Sequence, residues 1–426
     1  MKFSRESLVA AVAIAAIAAI AFGHVACATI NGTGAASAAP KGSGTANTAP
    51  ASPARAQEGT GISAYTSFGV NLYKELIREK PGSNVFISPA SVGLALAMTM
   101  NGAAGGTREA MANALGLSGN SAEAVNADDS TLIARMNDTM RAVKLSVANS
   151  LWARRDVTFK KEFLQRNKRY YGAEIRTLDS PKTINDWVAE KTNDKITKIV
   201  DEIDPETILY LINAIYFKGT WTKEFDRNLT RDEPFHLIDG ATIPRPMMRQ
   251  SGTYDYFDGD GFQAARLPYG DGRIGMYVFL PADSSSLEQF HEGLTGEKLE
   301  ALMMRFSPRE GRIGLPRFKL EYEATLNQGL AALGMAVAFD GGRADFTRMF
   351  EAPGANACID AVLHKTFIEV NEEGTEAAAV TAVVMKTTSV MEGPRPFEMI
   401  VDRPFFLAIV DRETGLILFM GAIVNP

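Results

Sequence analysis

The sequence predicts an α+β fold, and three observations carry the expectation. Apolar residues recur at helical spacing through the first half of the chain. Beyond Trp221 the pattern changes to short strands separated by Gly, Pro and Asp turns. The composition, 46% hydrophobic and 22% charged over 426 residues, suits a globular protein with a sizeable core, and an α+β fold of this size can be one cooperative unit. A net charge of -6 with scattered basic residues argues against nucleic acid as a partner. The two cysteines, Cys27 and Cys358, are too few for a disulfide framework, and Cys358 reads as a small buried hydrophobe.

The N-terminus has the three parts of an export signal: Lys2 and Arg5, an apolar run over 8–22, and small residues around Ala26, Cys27 and Ala28. Cleavage before Cys27 with lipid on that cysteine would resemble a prokaryotic lipoprotein; cleavage after Ala28 and an uncleaved anchor are the alternatives. Each places the folded part outside the cytoplasm, secreted or tethered to the membrane's outer face. Residues 29–61 are Ala, Gly, Ser, Thr and Pro with almost no large apolar side chain, so they cannot offset their ordering entropy and form a flexible tether. The organisation expected is therefore a signal over 1–28, a linker over 29–61 and a folded domain over 62–426.

Within that domain, Phe68, Leu72 and Leu76 mark a helix ended by Pro81 and Gly82. Residues 84–87 are a short buried strand. Ser88 and Pro89 then cap a helix over 90–100, apolar on nearly every side and so central. Helices follow over 131–141 and 160–171, with a strand over 145–152 between them. The stretch 184–199 is amphipathic, with Trp187, Val188, Ile196 and Ile199 on one side. Residues 208–217 form a continuous apolar strand interrupted by Asn213, which must be hydrogen-bonded or cost about 1–3 kcal/mol. Strands are expected over 253–257, 263–269, 275–280 and 311–319, interrupted by helices over 287–306 and 323–333. A hairpin of strands over 405–411 and 415–424 closes the chain.

Most catalytic signatures are missing. The sequence has no Gly-x-Ser-x-Gly elbow, His-Glu-x-x-His motif, dinucleotide fingerprint or Cys–His metal spacing, so no metal or cofactor is expected. Of the four histidines, His24 lies in the signal and His236 and His291 read as surface residues. Only His364 stands in an apolar context, where a hydrogen-bonded core residue is the simpler reading than a catalyst. An enzyme is the weaker hypothesis. The stretch 369–379, Glu-Val-Asn-Glu-Glu-Gly-Thr-Glu-Ala-Ala-Ala, is too small in side chain to anchor a core. By itself it reads either as a short Ala-rich helix or as a mobile segment able to slide into a slot within a sheet.

Nine blocks in order give the chain a resemblance to the serpin family from residue 62 to 426: NVFISPAS at 84–91, INDWVAEKTNDKI at 184–196, NAIYFKGTWTKEFD at 213–226, PMMRQ at 246–250, 267–281, LPRF at 315–318, HKTFIEVNEEGTEAAA at 364–379, DRPFF at 402–406 and GLILFMG at 415–421. The resemblance implies three β-sheets, eight or nine helices and an exposed reactive-centre loop that baits a peptidase. After acyl-enzyme formation the loop inserts into the large sheet and traps the enzyme. It also implies that Ser88, Ser91, Asn213 and His364 form the shutter under the sheet, and that Trp221 marks the breach where insertion begins. The hinge comprises Glu372, Glu373, Gly374, Thr375, Glu376, Ala377, Ala378 and Ala379. In an inserted strand Thr375, Ala377, Ala379, Thr381, Val383 and Met385 alternate inward, and none is charged.

Fourteen residues on from Gly374 lies Thr388, with the scissile bond before Ser389; loop-length variation leaves Met385, Lys386 and Met391 as alternatives. Thr388 implies an elastase-like or subtilisin-like serine endopeptidase as partner, Lys386 a trypsin-like one and the methionines a chymotrypsin-like one. No basic cluster stands between Leu117 and Met136, so no polyanion activation is expected. The chain is expected to be a monomeric inhibitor, with a non-inhibitory carrier or chaperone as the alternative.

Overall fold

The computed structural model describes residues 60–137, 143–351, 357–375 and 395–426; the signal with Cys27, the linker as far as residue 59 and the segment 376–394 lie outside them. The chain enters through helix α1 (Thr60–Glu79), which buries Phe68, Leu72 and Leu76. Strand β1 (Val85–Ile87) leads into α2 (Pro89–Met100). Ser88 caps that helix, its Oγ accepting the Ser91 N–H, and Pro89 fills the first turn, where its missing N–H costs nothing. Every residue of α2 is buried, as its uniformly apolar sequence demands.

Helices α3 (Gly105–Ala114) and α4 (Ala122–Asn137) lead to β2 (Val143–Ala153), α5 (Lys161–Tyr171), β3 (Glu174–Thr177) and α6 (Pro181–Lys191). Strand β4 (Leu209–Thr220) follows, then β5 (Arg231–His236), β6 (Thr242–Gly259), β7 (Phe262–Pro268) and β8 (Ile274–Pro281). Two short helices, α7 (Leu287–Glu292) and α8 (Gly296–Met303), precede β9 (Ser307–Pro316), β10 (Phe318–Thr325) and α9 (Asn327–Leu330). The chain ends through β11 (Ala361–Val370), β12 (Gly374–Thr375), β13 (Phe397–Ile400), β14 (Phe405–Asp411) and β15 (Ile417–Ile423).

One sheet has the order β10-β11-β4-β2-β3, with β12 added to the end of β4. The other has the order β1-β15-β14-β8-β7-β6-β9-β13, with β5 on β6. Strand β6, 18 residues long, is shared between its two halves, so two of the three sheets expected are joined through one strand. Helix α2 packs against both β4 and β15, and the principal core is built around it between the sheets.

Several expected elements differ for identifiable reasons. The helix expected to reach Ile199 stops at Lys191. Thr192 Oγ1 donates to Val188 O at 2.7 Å and accepts the Ile196 N–H at 3.1 Å, and Asn193 and Asp194 take positive φ. Ile196 and Ile199 are still buried, so the apolar pattern is real and the helix is not. The helix expected over 287–306 is two, because Thr295 caps a second one. The start of the helix expected over 323–333 lies in β10, which pairs with β11 as far as Thr325. Helix α4 begins at Ala122, nine residues before the periodicity suggested. His291 is buried, not superficial, with Nε2 2.6 Å from the Tyr73 hydroxyl. Cys358 is only half-buried.

Candidate functional site

The site is the seam where β4 and β11 lie parallel at the centre of the six-stranded sheet. Their pairing runs from Ala361 opposite Tyr210 to Phe367 opposite Tyr216. Midway, His364 stands opposite Asn213, and Asn213 stands opposite Asn149 of β2, so three polar side chains occupy one level of three adjacent strands. Beneath them lies the N-terminus of α2.

Asn213 is the centre of this network. Its Oδ1 lies 2.6 Å from His364 Nδ1, and its Nδ2 donates to Ser91 Oγ and Asn149 Oδ1. His364 Nε2 accepts the Ser88 N–H at 3.3 Å, which leaves the ring proton on Nδ1 to be donated to Asn213. Ser88, Ser91, Asn213 and His364 are all 0% exposed, and burial holds the His364 imidazole down to about 3. A neutral ring is therefore built into the closed seam. The structure thus brings together the four residues expected at the shutter, and it adds Asn149 and Thr366, whose Oγ1 donates to Phe86 O at 2.7 Å. Sequence reasoning missed Asn149. The available signal was its place within the strand over 145–152, among otherwise mostly apolar residues.

The upper end of the seam is different. Strand β4 continues to Thr220, and β12 occupies the edge that β11 has left. Gly374 stands opposite Thr220 and Thr375 opposite Gly219, antiparallel. Asn371 reverses the chain between β11 and β12: its Oδ1 accepts the N–H groups of Glu373 at 3.0 Å and Gly374 at 3.1 Å. Gly374 sits at φ 142°, and a Cβ there would lie 2.2 Å from Gly219 O, so only glycine fits.

The residues around the hinge hold it in place. Trp221 N donates to Glu373 O at 2.9 Å, Phe225 N to Glu372 O at 2.8 Å, and Trp221 Nε1 to Asn371 O at 3.0 Å. The Trp221 ring stacks on Tyr269 at 4.3 Å between centroids. Glu372 and Glu373 are buried; the Glu372 carboxylate accepts Thr230 Oγ1 at 2.9 Å and lies 3.7 Å from Arg317, while Glu373 pairs with Arg227. Thr375 is 0% exposed, its Oγ1 3.0 Å from the Tyr269 hydroxyl. Burial pushes the Tyr269 phenol above its ordinary value, so that group stays a neutral hydroxyl. Asn371 and Tyr269 were not singled out in the sequence. An Asn followed by Glu-Glu-Gly is itself a turn signal, whereas nothing local marks Tyr269.

The remaining hinge residues Glu376, Ala377, Ala378 and Ala379, and the reactive-bond positions Met385, Lys386, Thr388, Ser389 and Met391, lie outside the described residues, as does Cys27. The chain resumes at Arg395, whose carbonyl accepts Arg309 Nη2 at 3.1 Å, and continues into β13 alongside β9 in the other sheet. The described chain thus leaves off in one sheet, at Thr375, and resumes beside the other. Among the described residues no group of three or more His, Cys, Asp or Glu side chains converges as a metal site.

A family model described as "Serpin (serine protease inhibitor)" matches residues 63–426. An uncharacterized serpin-like protein of Thermococcus kodakarensis is 36% identical over 377 residues, covering 87% of each chain. The human leukocyte elastase inhibitor is 34% identical over 381 residues, covering 85% of this chain and 99% of its own. Among solved structures, the thermophilic serpin tengpin in its native state has a TM-score of 0.80 at 34% identity, covering 86% of this chain and 94% of its own. Human thyroxine-binding globulin, solved with its hormone, also reaches 0.80, at 26% identity over 87% of this chain and 100% of its own. With the fold, the seam and these relatives in agreement, the chain belongs to the serpin family.

Proposed function

We propose that this protein is a suicide-substrate inhibitor of serine endopeptidases that works by inserting its cleaved loop between β4 and β11. The observation that carries the reading is the hinge: Gly374 and Thr375 already pair with the end of β4, in the antiparallel sense an inserted strand requires. Each residue that follows exchanges one parallel β4–β11 pairing for two antiparallel ones, a net gain of about 0.5–1.5 kcal/mol per hydrogen bond. About ten such residues release an amount comparable with the stability of a domain, so the uncut protein is metastable and held by a kinetic barrier. Continued in register, the sixth residue beyond Thr375 is Thr381, which falls opposite Asn213 on the same face.

Two features weigh against an enzyme. His364, which accepts the Ser88 N–H, is fully buried and spends both nitrogens on structural hydrogen bonds. No described residue offers it an exposed nucleophile. The target is an elastase-like or subtilisin-like peptidase, on the strength of Thr388 and of relatives that include a leukocyte elastase inhibitor. The N-terminal pattern supports export, with Cys27 the lipidation point if the chain is tethered.

Incubation with elastase, subtilisin and trypsin tests the proposal. An SDS-stable complex with at least one of the first two is expected, with the bond located by mass spectrometry near Thr388. Cleavage by all three with neither complex nor loss of peptidase activity overturns it. The carrier alternative, exemplified by the hormone complex of thyroxine-binding globulin, predicts little gain in thermal stability after loop cleavage, whereas insertion predicts a large one.

A further inference from the structure

We propose that Asp129 is a pH-operated fastening for α4: the helix is held to α1 and α5 while the carboxyl keeps its proton, and it opens more readily, with both sheets still closed, once that proton is lost. The buried face of α4 consists of Val125, Asn126, Asp129, Leu132 and Met136. Three of these are apolar, so the two polar residues decide how firmly the helix sits. Asn126, one turn before Asp129, exchanges hydrogen bonds with Asn101 at the end of α2, at 2.8 and 3.0 Å. That amide pair does not titrate.

Asp129 does. It is 3% exposed, and its two oxygens accept the hydroxyls of Tyr65 on α1 and Tyr171 on α5, each at 2.8 Å, so one side chain ties three helices together. A neutral carboxyl suits this pair, because it can donate to one phenol and accept from the other. A carboxylate needs more, since two neutral donors fill only about half of its acceptor positions. Burial therefore pushes the Asp129 carboxyl up to about 7; the two phenols pull it back, and Asp128 beside it on α4 adds to the rise.

The surroundings supply no cation to answer the charge. Of α1 it is Tyr65 that reaches the carboxyl; α2 has no titratable side chain, and the one in β2, Lys144, is exposed. None of the charged residues of α5 is buried. The Tyr171 phenol is raised by its own burial and by Asp129, and Arg108 of α3 opposes that rise without acting on the carboxyl itself.

Once α4 opens, its carboxyl is hydrated and gives up a proton near pH 4, whereas the closed helix keeps it to about pH 7. Opening thus releases a proton between these values, so the opening equilibrium climbs with pH through that window and levels off above it. From pH 6 to pH 8 the climb is about tenfold. Asp129 bonds to neither sheet, and the device requires no loop insertion, so it stands apart from the inhibitory reading.

Hydrogen exchange of the full chain at pH 6 and pH 8, corrected for the intrinsic base catalysis of amide exchange, reads α4 and β4 separately. The α4 amides are expected to open about tenfold more often at pH 8, while β4, whose opening also exposes the buried histidines, changes by less than about twofold. Asp129→Asn is expected to abolish the α4 response. Tyr171→Phe, which takes one donor from the carboxylate, is expected to move the levelling upward, so that α4 opening continues to climb beyond pH 8. An α4 opening that ignores pH, a climb shared equally by β4, or a tenfold climb retained in Asp129→Asn overturns the fastening. A levelling that Tyr171→Phe leaves in place does the same.

Discussion

The two ends of the β4–β11 seam are built on opposite principles. Its middle is shut by side chains: the fully buried Asn213, His364 and Ser91, with the part-buried Asn149, close a network that demands one arrangement of the strands. Its upper end is held open by backbone, because the β4 edge that β11 abandons at Phe217 is satisfied by Gly374 and Thr375 instead. An abandoned strand edge needs a partner, and the hinge supplies it two residues at a time. On the proposed inhibitory reading, the difference puts the barrier to insertion at the polar level, below the pairing that Gly374 and Thr375 already make with β4. A hinge variant should therefore change the outcome of peptidase attack, and a network variant should change stability.

The largest effect is expected at Thr375. Replacing it with Arg puts a guanidinium where a fully buried hydroxyl now meets Tyr269. An unpaired buried charge costs about 3–5 kcal/mol, which slows insertion by at least about a hundredfold. The peptidase then completes hydrolysis before it is trapped. Thr375→Arg should be cleaved at the same bond as the parent yet form almost no SDS-stable complex, and because position 375 is already buried before cleavage the uncut protein should also unfold at lower denaturant concentration as the arginine displaces the hinge from the β4 edge. Retained complex formation would falsify the claim that the breach is the entry point.

Removing the lock should do the reverse. Asn213→Ala strands the Nδ1–H of His364 and the Oγ of Ser91 in a dry interior, whereas the part-buried Asn149 can turn to solvent. Each stranded group costs about 1–3 kcal/mol, so the intact protein should lose about 2 kcal/mol or more in a denaturant titration. Complexes should still form, because the inward hinge positions are untouched. A variant as stable as the parent would show that the network is incidental to the closed seam.

How much of this was legible beforehand follows from how local each cause is. Asn213 and His364 stood out because a polar residue within an apolar run must find a partner, and α2 stood out because it lacks a polar face. The hinge did not declare itself: Gly-Thr-Glu-Ala-Ala-Ala has helical composition, and only the resemblance of the surrounding blocks gave it another meaning. Gly374 and Thr375 pair as strand because β4 presents an unpaired edge there, a cause about 150 residues away in sequence. Tyr269 was invisible for the same reason, whereas Asn149 carried a local signal as a polar residue within an expected strand. The break at Thr192 was missed because the apolar period continues through a loop that buries Ile196 and Ile199 without forming a helix.

The smallest effect separates the lock from the helical layer by pH. Burial holds His364 down to about 3 and His291 to about 4, and it pushes the Asp129 carboxyl up to about 7. An unfolded histidine takes its proton near pH 6.5. Stability from the two buried rings is therefore complete above that pH and is lost as the pH falls toward their folded values. Asp129 acts in the opposite sense: the native state keeps its proton up to about pH 7 while the unfolded chain releases it near 4, so its contribution is full at low pH and is lost on the way up. From pH 8 to pH 6 each histidine costs about 0.8 kcal/mol and Asp129 returns about 1.4 kcal/mol. The parent should thus lose only about 0.3 kcal/mol between these pH values, and Asp129→Asn, with the compensation removed, about 1.6 kcal/mol. Adding His364→Gln to that variant should cut the fall to about half. A fall that His364→Gln leaves untouched would mean that the lock does not require a neutral ring, and that the seam closes on Asn213 alone.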